Sequence, residues 1–334
     1  MERWKRSRNV LSAPGREVWL NVWHRTALVV GLSCAVSIAG CTEDEWVAPG
    51  TRPGNPIVTP SCGGGPRLVG SQKRQVRTDD RTRTFISYVP QRLDPRRPAP
   101  LVLVFHGALM SGASMRDLTG FEQVAEQEGF IAVFPDGDAD RTWNIRPNDT
   151  HVCGIGELFT NPDSDDFQFV DDMIAEVETS HCIDRDHIFA TGFSMGGYFS
   201  NHLACERPEL VRAVATHGSG TFPGACKGRV PMLMVHGTAD FVIGEPCRNE
   251  SRTRWVERNG CSSQFESEPV KKGVCEHHLG CPNDGGVTFC LFDGLCHGWS
   301  GRGTGELFCL EDFGPGPTYE DATRLTWRFF KDNW

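Results

Sequence analysis

From about residue 67 to the end, the chain alternates between short apolar runs and longer stretches with helical periodicity. Residues 84–89 alternate between apolar and polar positions, as a half-buried strand does. Later runs are almost continuously apolar, which is typical of strands buried on both faces. They cover 101–105, 130–134, 187–192, 211–216 and 231–235, and helix candidates cover 118–128, 166–180, 195–206, 249–259 and 318–332. This pattern predicts an α/β fold, with a mostly parallel central sheet, helices on both faces and a functional site at the carboxyl ends of the strands.

The chain before this domain has a different character. Residues 27–40, "ALVVGLSCAVSIAG", form an uncharged apolar run that is short for a membrane span and typical of a signal peptide. The run ends in Ile38-Ala39-Gly40-Cys41, which resembles a bacterial lipobox. We predict a lipoprotein signal peptide over 1–40 with lipidation at Cys41, a Pro/Gly-rich tether over 41–66 and a catalytic domain over 67–334. An ordinary signal peptide or a membrane anchor is the alternative.

Charge and cysteine content narrow the setting. The net charge is −9 although residues 1–40 are basic, so the remainder is strongly acidic and is expected to repel nucleic acid. Fourteen cysteines are typical of an exported protein, in the cell envelope or outside the cell, rather than of a cytosolic enzyme. Cys34 and Cys41 lie in or beside the leader. The other cysteines are even in number, and we predict disulfide-rich loops whose connectivity stays open.

A candidate nucleophile lies in "ATGFSMGGYFS", residues 190–200. Ser194 follows a predicted strand and precedes a predicted helix, with Gly192 and Gly196 in the spacing Gly-x-Ser-x-Gly. A sharp turn between strand and helix needs small neighbours and exposes the serine hydroxyl. The amide of Met195, at the start of the helix, is the natural donor to an oxyanion. The alternative is a glycine-rich packing site without chemistry.

A second oxyanion donor is expected after the strand in "LVLVFHGALMSG", residues 101–112. The amide of Ala108 or of Leu109 could face the same space as that of Met195. His106 precedes the nucleophile and is predicted to shape the turn on the substrate side rather than to act as a base. We include it among the candidate substrate-contacting residues.

The remaining members of a triad are expected downstream, in the order nucleophile, acid, histidine. Asp240, in "PMLMVHGTADFVIG", follows a buried strand and is the predicted acid. His297, in "CLFDGLCHGWSG", lies in a glycine-rich loop after the apolar run 287–292 and is the predicted base. Asp293 is a rival acid that more naturally serves the turn.

Two clusters raise the question of a metal. His277 and His278 lie in "CEHHLGC", which is compatible with zinc but, in an oxidising compartment, favours a disulfide-bearing loop. The acidic cluster at 163–166 precedes a predicted helix, and capping of that helix is favoured over metal binding. We expect neither a metal nor an organic cofactor.

Taken together, "FHGA", "GFSMGG", "HGTAD", "WVERNGC" and "CHGWSG" resemble the secreted esterases grouped with polyhydroxybutyrate depolymerases and feruloyl esterases, within the α/β-hydrolase fold. The resemblance runs from about residue 67 to the end and implies a triad of Ser194, Asp240 and His297. It also implies that Trp299 borders the substrate cleft, with packing of the loop as the alternative. Ser300 stands where the family commonly has Pro, and Ala108 where polyester-cleaving members often have Cys.

These observations predict an exported serine carboxylic ester hydrolase that works through an acyl-enzyme. The expected substrate is a small or polymeric ester, of the feruloyl or acetyl type found on plant polysaccharide, and membrane contact is expected only through the lipid at Cys41. Depolymerisation of polyhydroxyalkanoate and peptidase activity are alternatives on the same fold. An envelope lipoprotein that only binds is the alternative outside catalysis.

Overall fold

A computed structural model describes residues 68–138, 141–145, 153, 164–221, 224–302 and 319–334. All of them belong to the second of two structural units, Arg52–Trp334. The predicted signal peptide, the tether and Cys41 lie outside the described residues, as does Asp163 of the acidic cluster.

The central feature is a ten-stranded sheet with the order β1-β2-β4-β3-β5-β6-β7-β10-β9-β8. The strands are β1 (Gly70–Thr78), β2 (Arg81–Val89), β3 (Ala99–Phe105), β4 (Ile131–Pro135), β5 (Ile183–Phe193), β6 (Ala213–His217), β7 (Met232–Gly237), β8 (Phe265–Val270), β9 (Gly273–His278) and β10 (Val287–Phe292). Neighbours from β4 through β3, β5, β6 and β7 to β10 are parallel, whereas the pairs at both edges are antiparallel. The predicted mostly parallel sheet is therefore confirmed.

Helices cover both faces of the sheet. They are α1 (Gly112–Thr119), α2 (Phe121–Glu128), α3 (Asp166–Glu178), α4 (Met195–Glu206), α5 (Glu245–Asn259) and α6 (Ala322–Asp332). Alternate residues of β3 point to opposite cores: Leu101 and Leu103 join the core beneath α3, α4 and α5, while Val102 and Val104 join the core beneath α1, α2 and α6. Burial on both faces explains why these strands are apolar at every position.

The helix predictions change in detail: α5 begins at Glu245 rather than at 249, α6 begins at Ala322 rather than at 318, and α3 ends at Glu178 rather than at 180. The helix expected over 118–128 is two helices, because the Gly120 amide closes α1 on the Arg116 carbonyl at 2.9 Å and α2 begins at the next residue. Helix α3 begins at the predicted residue, and the Asp165 carboxylate caps it by accepting the Gln168 amide at 2.9 Å. Capping by the acidic cluster is confirmed at Asp165.

Disulfides join loops and elements throughout the described residues. The pairs are Cys153–Cys247, Cys205–Cys226, Cys261–Cys281 and Cys275–Cys290, and Cys182 and Cys296 are also disulfide-bonded. Both cysteines of "CEHHLGC" are thus in disulfides, as predicted. Within the described ranges, each helix is too short or too polar to cross a bilayer.

Candidate active site

Ser194 lies on the turn that joins β5 to α4. Its φ of 52° and ψ of −120° are rare for a residue with a side chain and are held by close packing around the turn. A Cβ on Gly192 would collide with the Gly196 carbonyl, and one on Gly196 would collide with the Phe105 carbonyl. The serine hydroxyl does not cap α4 and is partly exposed at the carboxyl end of β5. The turn therefore presents the hydroxyl as a nucleophile elbow does.

The structure brings Asp240 and His297 together. His297 Nδ1 lies 2.9 Å from Asp240 Oδ2, and both side chains are almost completely buried. The other carboxylate oxygen, Oδ1, accepts the backbone amides of Val242 at 3.0 Å and Ile243 at 2.9 Å. These amides fix the carboxylate, and the carboxylate fixes the imidazole with Nδ1 as its donor, which leaves Nε2 as an acceptor.

Two loops reach the elbow: the loop after β10 that carries His297, here the histidine loop, and the loop after β3 that carries Gly107 and Ala108, here the oxyanion loop. The His297 ring packs on the ring of Phe193, the residue before Ser194, with centroids 4.8 Å apart. A Cβ on Gly107 would lie 3.3 Å from the Cβ of Ser194. Among the described residues, Ser194 Oγ makes no hydrogen bond to His297. Proton transfer therefore requires the two side chains to approach each other, and such hydrogen bonds often form only when substrate binds.

The two predicted oxyanion donors differ in their surroundings. The amide of Met195 is in the first turn of α4, where a helix provides no acceptor of its own. In the other loop, the Leu109 amide donates to the Arg141 carbonyl at 3.1 Å and is already engaged. Ala108 therefore remains the candidate donor from this loop, since no acceptor holds its amide in the described part of the chain.

The buried ring of His106 holds the oxyanion loop through hydrogen bonds to the backbone. Its Nδ1 lies 2.7 Å from the Gly107 carbonyl, and its Nε2 accepts the Gly137 amide at 2.8 Å. Burial lowers the pKa of His106 to about 4, so the ring is neutral at pH 7. Trp143, which the sequence analysis did not single out, donates from Nε1 to the His106 carbonyl at 2.9 Å and from its amide to Met195 Sδ at 3.4 Å. These contacts favour the turn role of His106 over contact with substrate.

Trp299 is buried in the core rather than exposed at the site. Its ring lies 3.9 Å from that of His217, and its Nε1 donates to Thr323 Oγ1 at 2.9 Å. Ser300, which replaces the common Pro, donates its hydroxyl to the Glu320 carbonyl at 2.8 Å and so ties the histidine loop to the start of α6. The contacts of Trp299 favour packing, the alternative considered from the sequence.

The rival residues have other partners. Asp293 accepts the Thr238 hydroxyl at 3.3 Å, in a surface turn. His277 pairs with Glu268 at 2.9 Å, and His278 lies 3.1 Å from the Ser262 carbonyl. Within the described ranges, no group of three or more His, Cys, Asp or Glu side chains is arranged to hold a metal ion.

Comparison with known proteins identifies the family to which the chain belongs. The model of the dienelactone hydrolase family matches residues 87–266, more than half of the chain, which include Ser194 and Asp240 but not His297. Feruloyl esterase D of Neurospora crassa is 28% identical over 281 residues, which are 80% of this chain and 88% of the relative. Feruloyl esterase C of Emericella nidulans is 26% identical over 283 residues, 81% of this chain and 90% of the relative.

Among solved structures, an acetyl xylan esterase from Aspergillus awamori superposes with a TM-score of 0.54 at 16% identity. The match covers 68% of this chain and 94% of that one. At this identity the likeness speaks for the fold alone. The chain belongs to the dienelactone hydrolase family, has the α/β-hydrolase fold and is a carboxylic ester hydrolase.

Proposed function

We propose that the protein is an exported serine esterase that cleaves feruloyl or acetyl esters through an acyl-enzyme on Ser194. The buried hydrogen bond between His297 and Asp240, beside the strand that ends at the elbow serine, is the observation that carries this proposal. A carboxylate and an imidazole in this arrangement are the partners that activate a serine.

In the first half of the reaction, His297 Nε2 takes the proton from Ser194 Oγ while that oxygen bonds to the ester carbonyl carbon. The amides of Met195 and Ala108 stabilise the oxyanion, and Asp240 stabilises the imidazolium. His297 then gives the proton to the leaving alcohol oxygen as the bond from the acyl carbon to that oxygen breaks. The alcohol leaves, and the acyl group remains on Ser194.

Water completes the cycle. His297 Nε2 takes a proton from water as the water oxygen bonds to the acyl carbon, and the same amides hold the second oxyanion. The proton then passes to Ser194 Oγ as its bond to the acyl carbon breaks, which releases the carboxylic acid. Ser194 Oγ supplies the proton that leaves with the alcohol, water supplies the proton that returns to Ser194 Oγ, and His297 carries both.

Two exposed apolar side chains support an aromatic acyl group. Leu109 is 60% exposed and follows the oxyanion residue Ala108, and Phe241 is 53% exposed and follows Asp240. Large apolar groups in such positions gain by covering an apolar substrate. A feruloyl group is such a substrate, and the curated relatives are feruloyl esterases.

Export is supported by the disulfides, since bonds of this number persist in oxidising compartments. Anchoring through a lipid on Cys41 completes the proposal, with the mature chain in the bacterial envelope or released from it. Mass analysis of the mature N-terminal peptide tests the anchor. We expect the mature chain to begin at a Cys41 that carries a diacylglyceryl group. A mature chain that begins at another residue and carries no lipid would contradict the anchor.

The substrate is tested with methyl ferulate, acetylated xylan, amorphous polyhydroxybutyrate and an aminoacyl amide, using wild type and Ser194→Ala in parallel. We expect wild-type hydrolysis of methyl ferulate or acetylated xylan and none by Ser194→Ala. Preferred hydrolysis of the polyester or of the amide would contradict the proposed substrate class but not the proposed triad. Activity on none of them would favour the binding-only alternative.

A further inference from the structure

We propose that His217 and Gly218 position all three members of the triad, an inference that rests on the proposed function. His217 is the last residue of β6, and β6 lies between β5, which leads to Ser194, and β7, which leads to Asp240. Neither residue belongs to a motif that the sequence marks as functional. Their positioning role depends on neighbours from other strands, which are far away in sequence.

The first link is to the nucleophile. The Ser194 amide donates to the His217 carbonyl at 2.9 Å, which anchors the strained elbow to the end of the neighbouring strand. The next amide, that of Gly218, donates to the Val235 carbonyl of β7 at 2.9 Å. These two hydrogen bonds tie the elbow to the strand that carries the acid.

The second link is to the acid and base. Gly218 has a φ of 53°, and a Cβ built on it would lie 3.2 Å from His297 Nδ1 and 3.3 Å from Asp240 Oδ2. These are the two atoms of the buried hydrogen bond. The backbone of Gly218 thus forms the surface on which the pair rests, and a side chain there would push the imidazole, the carboxylate or both away.

The third link is to the loop that carries the base. The buried ring of His217 packs on Trp299 at 3.9 Å, and its Nε2 lies 3.0 Å from Thr326 Oγ1 of α6. Trp299 is two residues beyond His297, so this contact sets the height of the histidine loop above the sheet. Burial lowers the pKa of His217 to about 3, which makes the ring a neutral packing group rather than a proton carrier.

Gly218→Ala tests the proposal, with Gly129→Ala as the matched control. Gly129 also has a positive φ, of 84°, but a Cβ there meets no atom within 4 Å. Both variants carry the cost of a left-handed alanine, and only Gly218→Ala disturbs the triad. We expect both variants to remain folded, with kcat for methyl ferulate about a hundredfold lower in Gly218→Ala at little change in KM, and a kcat near wild type in Gly129→Ala.

Two further readouts separate positioning from general destabilisation. The rate at which a fluorophosphonate labels Ser194 should fall with kcat. The acidic limb of the pH profile of kcat/KM should move to lower pH, because a loosened carboxylate stabilises the imidazolium less. The titratable groups near His297 are Asp240 after β7 and His236 in β7, and Arg248 of α5 lies near His236. His217 packs on Trp299 instead, and all four groups are unchanged in Gly218→Ala.

If Gly218→Ala does not fold, a comparison of His217→Phe with His217→Ala tests the positioning role instead. Phe keeps an aromatic ring on Trp299, so His217→Phe should retain several times the kcat of His217→Ala. Equal values, or Gly218→Ala behaving as Gly129→Ala, overturn this inference. The proposed function fails separately, if wild type and Ser194→Ala hydrolyse methyl ferulate equally.

Discussion

His297 Nδ1 lies 2.9 Å from Asp240 Oδ2, although 57 positions separate the two residues in the chain. Both side chains are withdrawn from water, and the second carboxylate oxygen is held by two backbone amides. In such a site the carboxylate is a fixed partner that selects one tautomer of the ring. Substitution of one member of this hydrogen-bonded pair therefore tests directly how the site works.

Replacing Asp240 by Asn should lower kcat by about 10⁴-fold while the fold persists. The amide oxygen of Asn can still accept the Val242 and Ile243 amides, but its NH2 group then faces His297 Nδ1 and forces the wrong tautomer. Hydrolysis of p-nitrophenyl acetate measures the effect. Asp293→Asn is the control and should be near wild type; the reverse pattern would transfer the acid role to Asp293.

Phe241→Ala should raise KM for methyl ferulate more than KM for p-nitrophenyl acetate. An aromatic contact contributes about 0.5–1.5 kcal/mol beyond its buried area, which corresponds to a factor of up to about ten. Phe265, also exposed but on the edge strand β8, is the control. Equal effects on the two substrates would remove Phe241 from the acyl subsite.

Stability should fall as the pH drops below about 6.5. Burial lowers the pKa of His106, His202 and His236 to about 4 and that of His217 to about 3. In the unfolded chain these rings bind protons below about 6.5, so the unfolded state gains protons that the folded state does not take up. The free energy of unfolding therefore decreases from about pH 6.5 toward pH 4, and urea unfolding at several pH values measures it.

His236→Phe isolates one of these groups. Both ring nitrogens of His236 lack a hydrogen-bond partner among the described residues, and the ring packs on Phe289 with centroids 5.6 Å apart. We expect equal or greater stability at neutral pH, and a pH slope smaller by about 1.4 kcal/mol per pH unit around pH 5. An unchanged slope would mean that His236 does not change protonation on unfolding.

The disulfide of Cys296 should hold the catalytic base. Cys296 is buried, disulfide-bonded and adjacent to His297. Cys296→Ser should lower kcat by roughly ten- to a hundredfold, because small displacements of a reacting group are costly, while far-UV circular dichroism stays constant. The double variant of Cys261 and Cys281 to Ser cuts a disulfide at the edge hairpin and should spare kcat. Comparable kcat losses in both variants would contradict a local role.

The buried strands and most helices follow directly from the sequence, because burial on both faces demands apolar residues at every position. The sequence does not predict strands β1, β8 and β9, since they lie at or near the edges of the sheet and carry many polar residues that are exposed or only partly buried. At the site, glycine spacing and chain order identify the candidates Ser194 and Asp240. Contacts made across the sheet, such as that of Gly218 with His297, leave no local signal in the sequence.

Mass spectrometry of the enzyme quenched during turnover of p-nitrophenyl acetate tests the central claim most directly. We expect one acetyl group per chain, on the peptide that carries Ser194, and neither acetylation nor turnover in Ser194→Ala. Undiminished hydrolysis by Ser194→Ala, or an acetyl group on another residue that reacts at the rate of turnover, would contradict it.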